Sequence, residues 1–236
     1  MGIEGTRRAP RAQDAQAGQA PAIRKAPKLP TRRELKRKAL LQAAVAAFNK
    51  QGFHQTSLEE IGERLGMTKA ALYYYFPSKA ALLATCFDQA MDVSRRSLAQ
   101  SRLHGRNGRE NIIGFFRFYV ENMTAEHEEC FLLTEDYALD ARQRAKLIKQ
   151  RDAIERQLRK FVADGIKDGS IVRCDPKLAV FLLLGAVNWV PKWFSAKGPW
   201  TSLQLAQAMT EMLDRMLSTE SGRPLAADAG RIVTGA

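Results

Sequence analysis

The segment 67–79 reads MTKAALYYYFPSK and holds three consecutive tyrosines, a phenylalanine and a lysine. Phenol hydroxyls and a lysine ammonium can donate hydrogen bonds to phosphate, and flat aromatic rings can lie against sugars or bases. Successive residues of a helix point about 100° apart, so Tyr73, Tyr74 and Tyr75 cannot all lie in one core. We expect part of Tyr73 to be buried and the other hydroxyls to meet an anionic partner.

The same residues also allow an enzymatic interpretation. Tyr75 and Lys79 match the Tyr-x-x-x-Lys spacing of short-chain dehydrogenases. That chemistry needs both residues on one continuous helix, but Pro77 lies between them and no GxGxxG motif follows a strand. The three histidines are far apart and lack metal-ligand spacing. We therefore expect neither an enzyme nor a metal or cofactor site.

The charge distribution favours nucleic acid as the anionic partner. The formal net charge is +12; residues 1–30 carry six basic and two acidic residues, and residues 31–96 carry eleven and six. Charge concentrated at one end indicates nucleic acid first and a membrane surface second. The sequence shows no signal peptide, lipidation site or apolar segment of membrane-spanning length. We expect a cytoplasmic protein without a membrane partner.

The elements that position these residues are predicted to be helices. Apolar residues recur at helical spacing, and the strand pattern of alternation is rare, so the predicted fold class is all-α. Ser57 followed three residues later by Glu60 is a capping-box signature for the first of two short helices. Gly66 ends this helix, and Pro77 ends the second one. We expect helices over about 32–52, 57–66, 69–76, 78–101, 110–124, 129–138, 141–168, 176–196 and 201–217.

The two short helices joined by LGMT have the pattern of a helix-turn-helix. The turn contains a glycine and the second helix begins with small residues, so it can approach a DNA groove. Lys69 can reach guanine O6 and N7, while Ala70 and Ala71 can contact a thymine methyl or leave room for a base. Leu72 and Phe76 are four residues apart and are expected to pack inward together.

The run TSLEEIGERLGMTKAALYYYFPSKAALL resembles the DNA-binding region of the TetR family of transcriptional repressors. The resemblance covers about residues 33–83. It departs from the family pattern at Ala70, where glycine is common, and at Tyr75, where histidine is common. It implies phosphate contacts by Thr56, Thr68, Tyr74, Tyr75 and Lys79, and base contacts by Lys69, Ala70, Ala71 and Tyr73.

The C-terminal part collects aromatic residues at helical spacing, which the core of a helical bundle also requires. The resemblance implies an effector pocket here, and polar residues interrupt the same faces. The Trp-rich segment NWVPKWFSAKGPW and the Leu-rich last helix resemble repressors of fatty-acid and acyl-CoA breakdown, so the expected ligand is an apolar acid or an acyl-CoA. The candidate pocket residues are Phe115, Phe118, Tyr119, Met123, Phe131, Asn188, Trp189 and Trp193.

The last two predicted helices carry more apolar surface than one core needs. The residues concerned are Leu178, Leu182, Gly185, Leu205, Met209, Met212 and Met216, and the resemblance implies a homodimer built as a four-helix bundle.

The predicted organisation has four parts. These are a disordered basic tail (1–30), a three-helix DNA-binding domain (31–78), an effector-binding and dimerisation domain (79–217) and a flexible tail (218–236). The expected function is that of a homodimeric repressor which a small ligand releases from a palindromic operator in double-stranded DNA. A basic DNA-binding protein without an effector is the alternative.

Overall fold

The computed structural model describes Gly2 and residues 31–124, 135–195 and 197–219. The tail predicted over 1–30, nearly all of the tail predicted over 218–236, and the pocket candidate Phe131 lie outside these residues. The fold is all-α, as predicted. The described α-helices are α1 (Arg32–Gln55), α2 (Leu58–Glu63), α3 (Lys69–Tyr75), α4 (Lys79–His104), α5 (Gly108–Thr124), α6 (Ala141–Asp168), α7 (Pro176–Asn188) and α8 (Ser202–Leu217).

Local sequence signals explain where the N-terminal helices begin and end. The capping box predicted at Ser57 and Glu60 is present, and the Thr68 and Ser78 hydroxyls accept hydrogen bonds from the first turns of α3 and α4. Gly52 has a φ of 81°, which separates the regular part of α1 from its last turn. These breaks place α2 and α3 in the predicted helix-turn-helix.

Two predicted helices differ most from the structure. The helix expected over 176–196 ends at Asn188 and is followed by a 3-10 helix, η2 (Val190–Lys192). Pro191 explains the break, because it lacks a backbone N–H and its ring clashes with the carbonyl four residues earlier. Of the helix expected over 129–138, the described part is another 3-10 helix, η1 (Glu135–Ala138).

The buried apolar side chains form two clusters that share α4. The first cluster joins α1, α2 and α3 to the first half of α4, as far as Met91, and includes Leu139, which precedes α6, and Leu147 of α6. The second cluster begins on α4 at Val93 and extends through α5, α6, α7 and α8. Helix α4 is thus continuous through both cores.

The C-terminal bundle is held by close packing and by one ion pair between distant helices. A Cβ atom at Gly108 would lie 2.1 Å from the backbone nitrogen of Gly165, so α5 and α6 meet there without intervening side chains. The Arg109 guanidinium donates to both carboxylate oxygens of Asp214, each at 2.6 Å, which connects α5 to α8. None of the described helices is both long and apolar enough to cross a bilayer.

Candidate nucleic-acid interface and effector cavity

Helix α3 buries one side and presents the other to solvent. Leu72 and Phe76 are buried, as predicted, and anchor α3 to the first cluster. Tyr74 is 66 % exposed and Tyr73 is 40 % exposed, whereas Tyr75 packs against the first cluster. Tyr73 is thus partly covered, as expected, but the tyrosine that packs against the first cluster is Tyr75.

The basic start of α1 lies beside the aromatic end of α3. The Arg33 guanidinium is 5.2 Å from the centre of the Tyr74 ring, and Arg37 is 5.2 Å from the centre of the Phe76 ring. These arginines were not among the predicted site residues, although the run RRELKRK carried the signal. The contact brings the charge of α1 to the exposed hydroxyl of Tyr74.

Glu59 of α2 organises the first turn of α3. Its Oε1 atom is 3.3 Å from the Lys69 ammonium and accepts a hydrogen bond from the Tyr73 hydroxyl at 3.1 Å. A hydrogen bond from its own backbone and those from Lys69 and Tyr73 lower the pKa of Glu59. Thr68 and Ala70 are exposed on the same turn, and Ala71 is half-buried. The predicted base-contacting residues thus share one accessible region, held by a carboxylate.

Lys79 has internal contacts that the sequence did not reveal. Its ammonium donates to the backbone oxygens of Phe53 at 2.7 Å and Thr56 at 2.8 Å, and lies 4.2 Å from the centre of the Phe53 ring. These contacts fasten the end of α1 to the start of α4. A lysine ammonium has three donors, so one remains beyond these two carbonyls.

Thr56 differs from its predicted role as a phosphate contact. The residue is only 2 % exposed, and its hydroxyl donates to the backbone oxygen of Gly52 at 2.8 Å. The kink at Gly52 directs that carbonyl toward Thr56, which draws the side chain inward. In this structure Thr56 supports the α1–α2 connection and has no hydroxyl on the surface.

A cavity of about 440 Å³ lies between the two apolar clusters. Its α4 wall belongs partly to the first cluster, and its α5 wall belongs to the second. The volume and the largely apolar lining are typical of small-molecule sites. The lining residues are Phe87, Ala90, Met91 and Ser94 of α4, Phe115 and Tyr119 of α5, Arg151, Asp152, Ile154 and Glu155 of α6, and Phe181, Leu184, Gly185 and Asn188 of α7.

Three of the predicted pocket residues line this cavity: Phe115, Tyr119 and Asn188. The others that the structure describes lie elsewhere. Met123 is buried in the second cluster, and Phe118 packs near the His104 ring. Trp189 and Trp193 are more than half exposed, because α7 ends at Asn188 and the following turn carries them outward.

The polar wall of the cavity comes from α6 and α7. One carboxylate oxygen of Glu155, Oε2, accepts a hydrogen bond from Arg159 at 2.8 Å. Within the described part of the chain, its other oxygen, Oε1, and the side-chain oxygen of Asn188 are buried and have no hydrogen-bond partner. The charged lining residues Arg151, Asp152 and Glu155 were not predicted, because aromatic spacing gives no signal for them.

A short series of contacts connects the cavity to the DNA-binding helices. Arg151 lines the cavity and lies 5.5 Å from the Phe87 ring centre, and its Nη1 atom is 3.4 Å from Asp136 of η1. The next residue, Tyr137, stacks on His54 of α1 with ring centres 5.5 Å apart. These contacts lead from the cavity wall through η1 to the last turn of α1.

Among the described ranges, no group of three His, Cys, Asp or Glu side chains is arranged to hold a metal ion. The described cysteines, Cys86 and Cys174, form no disulfide with each other, and burial raises the pKa of the Cys174 thiol, with the charge of Asp175 adding to the effect.

Comparison with known proteins identifies related regulators. Residues 40–86 match the family model for bacterial regulatory proteins of the tetR family, and residues 105–217 match the model for the tetracyclin repressor-like C-terminal domain. The HTH-type transcriptional regulator RutR of Escherichia coli K12 is 48 % identical over 58 residues, which are 25 % of this chain and 27 % of RutR. The chain thus matches only about a quarter of the length of that relative.

Solved structures resemble the chain over most of its length. PfmR from Thermus thermophilus, a TetR family transcriptional regulator, is 27 % identical with a TM-score of 0.66, covering 77 % of this chain and 98 % of PfmR. AibR in complex with isovaleryl coenzyme A and operator DNA is 26 % identical with a TM-score of 0.63, covering 75 % and 97 %. KstR2 of Mycobacterium tuberculosis, a ketosteroid transcriptional regulator, shares the fold at 19 % identity and a TM-score of 0.71, covering 78 % and 96 %.

Proposed function

Because the chain belongs to the TetR family of transcriptional regulators, we propose that it is a homodimeric repressor which a small molecule releases from a palindromic operator. The observation that carries the proposal is the exposed side of α3, where Tyr74 lies beside Arg33 at the basic start of α1 and Lys69 is exposed beside Glu59 of α2. We assign DNA binding to residues 31–78, and effector binding and dimerisation to residues 79–217. The proposed location is the cytoplasm, where such a protein meets its DNA.

On the operator, we assign base contacts to the first turn of α3 and phosphate contacts to its flanks. Lys69, Ala70, Ala71 and Tyr73 would face base edges, which requires Lys69 and Tyr73 to leave Glu59. The Tyr74 hydroxyl and Arg33 would meet one phosphate strand. The proposed phosphate contacts also include Thr68, Tyr75 and the third donor of Lys79.

The proposed ligand is a small apolar molecule or an acyl-CoA held in the cavity between α4, α5, α6 and α7. AibR, which has been solved with isovaleryl coenzyme A and operator DNA, supports a ligand of this type. Within the cavity, Phe115 and Tyr119 offer parallel rings 5.4 Å apart to an apolar group. Asn188 supplies a polar anchor at the opposite wall.

The proposed dimer rests on exposed apolar surface of α7 and α8. Leu178 and Leu182 are more than 60 % exposed on one side of α7, and Met212 and Met216 are more than half exposed on α8. Leu205 and Met209, which the sequence analysis placed on this surface, instead belong to the second cluster or pack against it. Such surface is typical of an interface in a soluble oligomer.

The proposed release mechanism is a shift between two conformations. A ligand lowers operator affinity only by the difference between its affinities for the two conformations, typically a coupling of roughly 1–3 kcal/mol. Helix α4, shared by both clusters, and the contacts from Arg151 through η1 to His54 are the elements that can transmit this shift.

Selection of duplexes from a random library, followed by footprinting, tests the function. The repressor hypothesis expects a discrete palindromic footprint with two half-sites about one helical turn apart, on the order of 34–36 Å. Uniform coverage of any duplex would instead favour the basic DNA-binding protein without an effector.

A Glu59→Gln substitution is expected to increase operator affinity by roughly two- to fivefold. The substitution removes the charge that holds Lys69, and exposed ion pairs of this kind contribute only modestly. It also removes a negative charge from a surface that approaches phosphates. Fluorescence anisotropy with labelled operator measures the change. Glu63→Gln, at the other end of α2, is the control, and weaker binding by the Glu59 variant alone would contradict the assigned DNA-binding surface.

An Asp136→Asn substitution is expected to weaken the ligand response while leaving ligand-free operator affinity unchanged. It removes the ion pair between η1 and Arg151, worth about 1 kcal/mol at most for a partly exposed pair. With isovaleryl coenzyme A as the probe, the ligand-induced loss of operator affinity should shrink by roughly two- to fivefold. Asp164→Asn removes an ion pair with Lys160 within α6 and is the matched control. An unaltered response in the Asp136 variant would exclude η1 from the mechanism.

A further inference from the structure

Two buried acceptor atoms of the cavity have no hydrogen-bond donor among the residues that the structure describes. Glu155 Oε1 and Asn188 Oδ1 lie on neighbouring helices, and both residues line the same cavity. The second oxygen of Glu155 is already held by Arg159. A buried acceptor without a partner is costly, and most such groups in folded proteins find a donor. The cavity thus presents two acceptor oxygens that a donor on a ligand can satisfy.

The charged groups around the cavity favour the same kind of ligand. Asp152 and Glu155 contribute two carboxylates to the lining, against the single guanidinium of Arg151. That guanidinium is engaged by Asp136 and stacks over Phe87. An anionic head group would meet a carboxylate at Glu155 and would compete with Asp136 for Arg151. A donor-bearing head group meets neither obstacle.

The cavity also has an apolar part, which includes aromatic rings of α5 and α7. Phe115 and Tyr119 stack on α5, and Phe181 of α7 is half exposed where the cavity reaches the surface. These rings suit an alkyl or aryl body, whereas Glu155 and Asn188 suit only its end. The chain can therefore discriminate between ligands of the same body by their head groups.

We propose that the effector carries a hydrogen-bond-donating head group which Glu155 and Asn188 receive, and that a free carboxylate is rejected. The proposal rests on the proposed function, because it concerns the ligand of the same cavity. A hydroxyl or an ammonium meets the requirement directly. A coenzyme A thioester can meet it through the amide N–H groups of its pantetheine arm. The free apolar acid considered from the sequence does not meet it.

Calorimetry on the full-length protein with matched probes tests the proposal. Decylamine, 1-decanol and decanoate share one alkyl body and differ in the head group, and isovaleryl coenzyme A represents the thioester. At neutral pH the amine or the alcohol is expected to bind at least about tenfold more tightly than decanoate, because hydrogen bonds to a charged group are among the stronger ones. Equal or tighter binding of decanoate would overturn the proposal, as would binding of none of the four.

Substitutions at the polar wall separate head-group recognition from a general effect on the cavity. Glu155→Gln keeps the shape and is expected to lower the affinity of the preferred probe by about tenfold, with little change for decanoate. Asn188→Asp adds a carboxylate and should increase the preference for the amine. Glu121→Gln disrupts another Arg–Glu pair at the same i,i+4 spacing, away from the cavity, and is the control. Circular dichroism checks that the variants fold.

The failure of this inference differs from a failure of the repressor function. Calorimetry reports ligand binding without DNA, and anisotropy reports operator binding without ligand. If the amine binds through Glu155 but does not lower operator affinity, the proposed ligand class stands and the proposed release mechanism is wrong. Suppose instead that the only probe which releases the operator binds equally well to the parent and to the Glu155 and Asn188 variants. That result would support the release mechanism and overturn the proposed ligand class.

Discussion

A Leu182→Glu variant is expected to be monomeric and to bind a palindromic operator roughly 100-fold more weakly than the parent. Leu182 is 62 % exposed on α7, in the apolar surface that we assign to the dimer interface. A glutamate there would be buried in the dimer without a partner, which strongly disfavours association. A monomer contacts one half-site, and linking two binding modules commonly raises affinity by about 10²–10⁴-fold.

Sedimentation velocity measures the oligomeric state, and anisotropy with whole and half operators measures the two affinities. Since Leu182 is exposed in the isolated chain, the substitution should change the free energy of unfolding little, within about 0.5 kcal/mol. Leu103→Glu is the matched control, because Leu103 is an even more exposed leucine near the end of α4, outside α7 and α8. A dimer that persists in the Leu182 variant would place the interface elsewhere.

The elements of the DNA-binding part follow from signals within a few residues of each other. The capping box of Ser57 and Glu60, the inward pair of Leu72 and Phe76, and the end of α3 before Pro77 all depend on local spacing. Such signals predict the local structure because they act within one helix or one turn. This is why the helix-turn-helix could be predicted from sequence alone, apart from the register that buries Tyr75.

The contacts that define the site depend on residues far apart in the chain. Lys79 reaches backbone oxygens 26 and 23 residues earlier, and no side-chain pattern marks a carbonyl as an acceptor. Glu155 reaches the cavity only because α6 packs against α4, α5 and α7 in one particular register. Both Phe115 and Met123 belong to the second cluster, and their helical spacing could not show that Phe115 also lines the cavity. The missing information was the relative placement of helices.

A Tyr74→Phe variant is expected to lose operator affinity on the order of 100-fold without changing the salt dependence of binding. Tyr74 is the most exposed tyrosine of α3, and Arg33 lies over its ring. A hydrogen bond to a charged phosphate is worth about 1.5 kcal/mol, and a dimer loses two of them. The salt slope should stay constant, because the substitution removes no positive charge and releases no counterion.

This pattern distinguishes a hydroxyl contact from an electrostatic one. Lys79→Met removes a charge and also the two carbonyl contacts that join α1 to α4, so it should lower the salt slope by about one per subunit and the melting temperature as well. Tyr74→Phe should leave both quantities unchanged. Tyr137→Phe removes the same hydroxyl from another exposed ring and keeps its stacking on His54, so it serves as the control. Equal operator affinity of the Tyr74 and Tyr137 variants would show that the Tyr74 hydroxyl makes no phosphate contact.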